Sequence, residues 1–225
     1  MELIIGNKNY SSWSLRAWFM LASFGIDFDE TLLPLFSDEF RTKIAALSPT
    51  GKVPALLDDD IQVWDSLAIC EYISDRYLAG NGWPKAPKSR AEARAMSCEM
   101  HSGFTALRNE IPMNCRATRR VDLSKQAKQD IARIDELWAT LRLQHKGEGP
   151  WLFGKLSIAD AMYAPVVSRF KTYGIKLSTE SQAYADSVMA SDTMRTWYEA
   201  ALQETLIVAE DEAGTELPNN TDSAT

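Results

Sequence analysis

Apolar residues in this chain follow two rhythms, short runs in the first third and helical spacing in the remainder. Leu3-Ile4-Ile5 is a brief apolar run that predicts a buried strand, and Gly6 to Tyr10 is a polar loop. Behind Ser11-Ser12-Trp13-Ser14, the residues Leu15, Trp18, Phe19 and Ala22 recur at helical spacing, and Gly25 stops the helix. Phe28 to Leu33 alternates like a strand. Phe36 to Leu47 predicts a weaker helix with Asp38 and Glu39 at its start, where negative charge is favoured. Val53 to Leu57 and Ile61 to Trp64 flank an acidic turn at Asp58, Asp59 and Asp60, the pattern of a hairpin. A helix follows at once, capped by Asp65 or Ser66 and carrying Leu67, Ile69, Ile73 and Tyr77. The order β-α-β-α-β-β-α predicts an α/β layer whose first two strands are parallel and whose last two form the hairpin.

The rhythm changes at Ala79 to Pro87, a stretch too rich in glycine and proline for an element interior. Beyond it only helices are predicted. Ser89 and Glu92 read as a capping box opening a helix through Met96, Met100, Phe104 and Leu107 to Pro112. A second runs from about Asp122 to Gln144 with Ile131, Ile134, Trp138 and Leu141 on one stripe, and shorter ones cover Tyr184 to Ala190 and Thr193 to Glu204. Within Gly154 to Ala161, Ser157 and Asp160 have the spacing to satisfy each other's backbone N–H, a folding device rather than a catalyst. Pro165 falls inside the helix they begin and should bend it. The expected division is an α/β domain over 1–79, a linker over 80–88, an all-α domain over 89–212, and a polar, disordered tail over 213–225.

Composition adds limits rather than a function. With 225 residues, 45% hydrophobic and 24% charged, the chain can bury a proper core without disulfides or metals. Cys70, Cys98 and Cys115 are odd in number and widely spaced, so reduced, buried thiols are expected, and no metal site. No membrane span and no signal-peptide layout are present, which predicts a cytoplasmic protein. A net charge of -7 disfavours nucleic acid, and Arg116, Arg119 and Arg120 read as a solvated loop or helix end. His101 and His145 lack partners at ligand spacing and read as structural or solvent-facing, while Trp18, Trp138 and Trp197 read as core.

Two stretches carry chemistry. Pro54 has no N–H for a ladder, so Val53-Pro54 stands at a strand start, bulge or edge; a cis bond there would turn the Val53 backbone outward for a peptide-like ligand. The helix starting at Ser66 offers free N–H groups to an anion. This ordered set, a Val-Pro step before a hairpin and then acidic-Ser followed by Leu-Ala-Ile, resembles the glutathione-binding half of the glutathione S-transferase superfamily, whose thioredoxin-like domain precedes a helical one. The Ser157/Asp160 box resembles the one opening the central helix of that family's second domain, so the resemblance spans nearly the whole chain. It implies that glutathione is the co-substrate, with the Val53 backbone, beside Pro54, on its cysteinyl part and Asp65 and Ser66 on its γ-glutamyl end. Lys52 could reach the glycyl carboxylate, or stand exposed.

The run Ser11-Ser12-Trp13-Ser14-Leu15-Arg16 resembles the zeta-class motif Ser-Ser-Cys-x-x-Arg, with Trp13 in place of the cysteine. By position Ser11 is the catalytic hydroxyl, Ser12 mainly a cap, and Tyr10 a rival. Lowering a thiol pKa by two units needs about 2.7 kcal/mol. A hydrogen bond to a charged group supplies roughly 1.5–3 kcal/mol and a helix N-terminus about 0.3–1, so one hydroxyl suffices. Met100, Phe104, Tyr163 and Phe170, with Tyr10, are expected to wall an apolar pocket. The resemblance implies a homodimeric, detoxification-type glutathione transferase in which the thiolate attacks a hydrophobic electrophile. The alternatives it leaves are a glutathione-dependent isomerase of the maleylacetoacetate type, a dehalogenase, or a non-catalytic binding module like the stringent-starvation proteins.

Overall fold

Strand β1 (Glu2–Ile5) lies inside a four-stranded sheet, and its Leu3, Ile4 and Ile5 are fully buried, as a strand covered on both faces requires. The structure, a computed structural model, describes residues 1–217. After α1 (Ser12–Ser23) the chain returns as β2 (Asp29–Leu32), parallel to β1. Helix α2 (Asp38–Leu47) leads to β3 (Ala55–Asp58) and β4 (Ile61–Trp64), an antiparallel hairpin whose β3 pairs antiparallel with β1. The sheet order is β2-β1-β3-β4, and α3 (Ser66–Leu78) completes the layer. Glycine ends α1 as expected: Gly25 sits at φ 65°, open to a residue without Cβ.

The remainder is helical: α4 (Pro87–Ser102), α5 (Thr105–Glu110), α6 (Lys125–Gln144), α7 (Ile158–Thr172), α8 (Thr179–Ala190) and α9 (Asp192–Gln203). Helix α7 is buried on nearly every side and packs against α1, α4 and α8, so it carries the core of both halves. The Ser157/Asp160 box opens it, with Asp160 accepting from Leu152 N (3.0 Å), Ser157 N (2.8 Å) and Ser157 Oγ (3.1 Å).

Several expectations are corrected. Pro87, with its fixed φ, starts α4 two residues before Ser89, so Ser89 and Glu92 lie inside the helix and form no capping box. That helix does not reach Pro112. It ends at Gly103, where a Cβ would meet the Glu99 carbonyl at 2.6 Å, and Phe104 turns the chain at φ 52°. Ser124 caps α6 and delays its start to Lys125. Cys98 is exposed rather than buried. The tail is ordered through Leu217: a 3-10 turn (Ala209–Asp211) is followed by β6 (Thr215–Glu216), which pairs with β5 (Arg119–Arg120). The expectation for 218–225 lies outside the described residues. Arg116 and Arg119 are not solvated; both guanidinium groups bind this C-terminal segment.

Candidate functional site

The starts of α1 and α3 face two adjoining clefts that share Trp13, Lys52 and Val53. The first, about 430 Å³, is also lined by Pro54, Trp64, Asp65 and Ser66. The Val53-Pro54 bond is cis, and among the described residues the Val53 N–H and C=O have no hydrogen-bond partner. Asp65 is the cap of α3: its Oδ1 accepts from Leu67 N (2.9 Å) and Ala68 N (3.1 Å). Its φ of 76° is a conformation that side-chain-bearing residues rarely adopt. Its other oxygen lies 3.1 Å from His101 Nε2, which comes from the last turn of α4. The Ser66 hydroxyl is buried and has no partner among the described residues. A buried hydroxyl left unpaired costs about 1–3 kcal/mol, so this atom, with the free Val53 backbone, suits a polar ligand lying along the cleft.

The second cleft, about 450 Å³, is lined by Tyr10, Ser11 and Ser12 together with Arg108, Arg169 and Asp211. Ser11 is the cap of α1: its Oγ accepts from Ser14 N (3.4 Å) and donates to Ser14 Oγ at 2.7 Å. Ser14 Oγ in turn accepts from Gly6 N (3.1 Å). The capping role expected of Ser12 therefore falls to Ser11, and Ser12 Oγ instead accepts from Arg169 Nη2 at 3.1 Å. The Trp13 N–H, in the first turn, has no partner among the described residues.

Tyr10 reaches the cleft, but its hydroxyl is taken. It donates to Glu212 Oε1 (2.5 Å) and accepts from Arg116 Nη2 (2.9 Å), and burial, then the Glu212 bond, pushes its pKa up.

The apolar wall proposed from the sequence is not in this cleft. Met100, Phe104, Tyr163 and Phe170 are buried core, and the Tyr163 hydroxyl donates to the Met96 carbonyl at 3.1 Å. Leu35, Phe36 and Phe40 supply the apolar part instead, and arginines face them. Arg169 donates to the carbonyls of Arg108 (3.1 Å) and Ile111 (2.6 Å); burial lowers its pKa to about 10, leaving it charged near neutrality. Sequence reasoning missed Arg108, Arg169, Asp211 and His101, which come from four separate segments; no periodicity or spacing marks them. Trp13, the departure from the motif, has Arg16 at 4.2 Å and Arg108 at 5.5 Å from its ring centroid and His101 edge-on at 5.3 Å. Arg16 is almost wholly buried, with Nε and Nη1 unpartnered, and burial lowers its pKa to about 9.

Two family models match the chain, the N-terminal domain of glutathione S-transferase over residues 10–76 and its C-terminal domain over 117–200. A probable maleylacetoacetate isomerase of Caenorhabditis elegans is 29% identical over 75% of this chain and 78% of its own. Among solved structures, a glutathione transferase homologue from Burkholderia with bound glutathione is 23% identical, with a TM-score of 0.68 over 89% of this chain and 97% of that one. A zeta-class bacterial maleyl pyruvate isomerase is 21% identical, with a TM-score of 0.68 over 92% and 100%. At those identities the two structures speak for the fold.

Proposed function

The chain belongs to the glutathione S-transferase superfamily, and from that membership we propose that it binds glutathione along the first cleft and holds the sulfur as its thiolate at the start of α1. When bound, glutathione supplies a sulfur nucleophile for an electrophilic carbon. One observation carries the reading: the cleft with the unpartnered Val53 backbone and Ser66 hydroxyl runs past Trp13 into the cleft with Ser11 and Ser12. Asp65 and Ser66 suit a γ-glutamyl end, Val53 a peptide backbone, and Lys52 a terminal carboxylate.

Ser11 is the hydroxyl we assign to the sulfur. It stands at the positive end of the α1 dipole, and hydroxyl hydrogens rotate. In the free protein the Ser11 hydroxyl donates to Ser14 Oγ, and rotation about its C–O bond would turn that hydrogen to the sulfur; the free Trp13 N–H adds a second donor. The Trp13 N–H is in place before reaction, and the Ser11 hydroxyl needs only a rotation to join it where a charge on sulfur forms.

The second cleft favours a different electrophile from the wholly apolar one expected. Arg108 and Arg169 face it, and a guanidinium matches a carboxylate. An unsaturated carbonyl compound bearing a carboxylate fits both, and the worm relative is named for an acid of that kind. The reaction we favour is therefore of the isomerase type, addition of sulfur to an alkene followed by its release. Retention on glutathione resin, together with turnover of 4-oxopent-2-enoate and of 1-chloro-2,4-dinitrobenzene, tests this. Turnover of the acid faster than its uncharged analogue pent-3-en-2-one is expected. Retention without turnover of any electrophile would instead identify a binding module, and absence of both would refute the reading.

A further inference from the structure

The segment around Asp211 is tied down on both sides while Asp211 itself is left free. Glu212 accepts from Tyr10 (2.5 Å) and Asn114 Nδ2 (2.9 Å) through Oε1 and from Arg119 Nη1 (2.5 Å) through Oε2. Arg119 also donates to the carbonyls of Glu212 (2.8 Å) and Ala213 (2.7 Å), and Arg116 donates to those of Glu204 and Leu206. Strand β6 fixes the far end against β5. Asp211 closes the 3-10 turn through its N–H to the Val208 carbonyl (3.0 Å), yet among the described residues its carboxyl makes no hydrogen bond or ion pair. Arg169, which lines the same cleft, directs three of its five donors to Arg108, Ile111 and Ser12 instead. A strap this well anchored, carrying one unspent carboxyl into the cleft beside Ser11 and Ser12, presents that carboxyl to whatever occupies the cleft.

Resting on the glutathione reading above, we propose that Asp211 is the general acid and base for an α,β-unsaturated carbonyl substrate. As the C–S bond forms at the β-carbon, the alkene electron pair moves to the α-carbon and carbonyl oxygen, and Asp211 gives its proton to that oxygen. Where the C–S bond then breaks, as in isomerisation, Asp211 takes the proton back; where the adduct is kept, the enol shifts its proton to carbon and Asp211 regains one from water. Burial pushes the Asp211 carboxyl up to about 6 against the pull of Arg169, with Glu210 and Glu212 adding to the rise. Arg108 of α5 and Lys52 are the other charged residues that line the same cleft. A donor and acceptor poised near neutrality is what proton transfer in both directions needs.

The test compares two electrophiles in the full chain. Addition of glutathione to 4-oxopent-2-enoate calls for a proton, whereas substitution on 1-chloro-2,4-dinitrobenzene expels chloride and does not. Asp211→Asn should lower the ratio of the first rate to the second by about a hundredfold and remove the pH–rate limb near pH 6; Asp211→Glu should restore that limb. In the free protein, one of the two carboxyl carbon resonances expected to titrate near pH 6, those of Asp160 and Asp211, should vanish in Asp211→Asn while the other stays. Equal proportional losses with both electrophiles, a change in KM alone, or no resonance near pH 6 lost in Asp211→Asn would overturn the role. If ultraviolet titration finds no thiolate in the wild-type complex, the glutathione reading itself fails and this one falls with it. A thiolate with an unchanged rate ratio removes only Asp211.

Discussion

Replacing Asp160 by Ala tests whether the box at the start of α7 is worth what its burial implies. The substitution leaves the N–H groups of Leu152 and Ser157 without their acceptor in a site sealed from water. At about 1–3 kcal/mol for each orphaned donor, the loss is roughly 2–6 kcal/mol, above the ~0.5–2 of an exposed cap. Burial raises the Asp160 carboxyl from 3.8 to about 6, although its hydrogen bonds pull the other way. A raised folded-state pKa means that the folded chain holds a proton the unfolded chain has released. The box therefore contributes fully below pH 3.8, and its contribution shrinks as pH rises through about 6. Over about two units at ~1.36 kcal/mol each, the decline is roughly 3 kcal/mol. Urea unfolding of wild type and Asp160→Ala at pH 4, 5, 6 and 7 reads both quantities. The stability gap should narrow with pH, and a gap that is constant, or that widens, would refute the reasoning.

Arg169→Met should raise KM for 4-oxopent-2-enoate by about tenfold or more, the worth of one charge-assisted hydrogen bond, and raise it less for pent-3-en-2-one; equal effects on the two would remove the carboxylate role. Tyr10→Phe should lower stability by about 0.5–1.5 kcal/mol in urea, because its hydroxyl bridges Glu212 and Arg116. It should leave the titration of bound glutathione where it was, and a shift there would reinstate Tyr10 as the activating hydroxyl.

What the sequence disclosed divides along physical lines. Local signals were legible: the hairpin, Gly25, the Ser157/Asp160 box and the apolar stripe of α6 each depend on residues within a few positions of one another. The first cleft was legible for the same reason, since Lys52, Val53, Pro54, Asp65 and Ser66 are neighbours in the chain. The second was not. Its polar wall joins α5, α7 and the C-terminal strap, and only folding brings Arg108, Arg169 and Asp211 together. Tyr163 and Phe170 misled because α7 is buried all round, so apolarity there marks core and not a pocket face. Arg116 and Arg119 misled in the opposite sense: a cluster of basic residues reads as solvated, yet these two spend their donors on backbone carbonyls of a distant segment.

The central claim, that a hydroxyl at the start of α1 holds the glutathione thiolate, is tested most directly by ultraviolet titration of the thiolate in the binary complex of wild type, Ser11→Ala and Ser12→Ala. Losing about 1.5–3 kcal/mol of stabilisation should raise the pKa of bound glutathione by roughly one to two units in Ser11→Ala, at ~1.36 kcal/mol per unit. Binding should persist through Val53, Asp65 and Ser66, and Ser12→Ala should shift the titration less. A large shift in Ser12→Ala with none in Ser11→Ala would move the role to the hydroxyl beside Arg169, and a titration unmoved in both variants would contradict the claim.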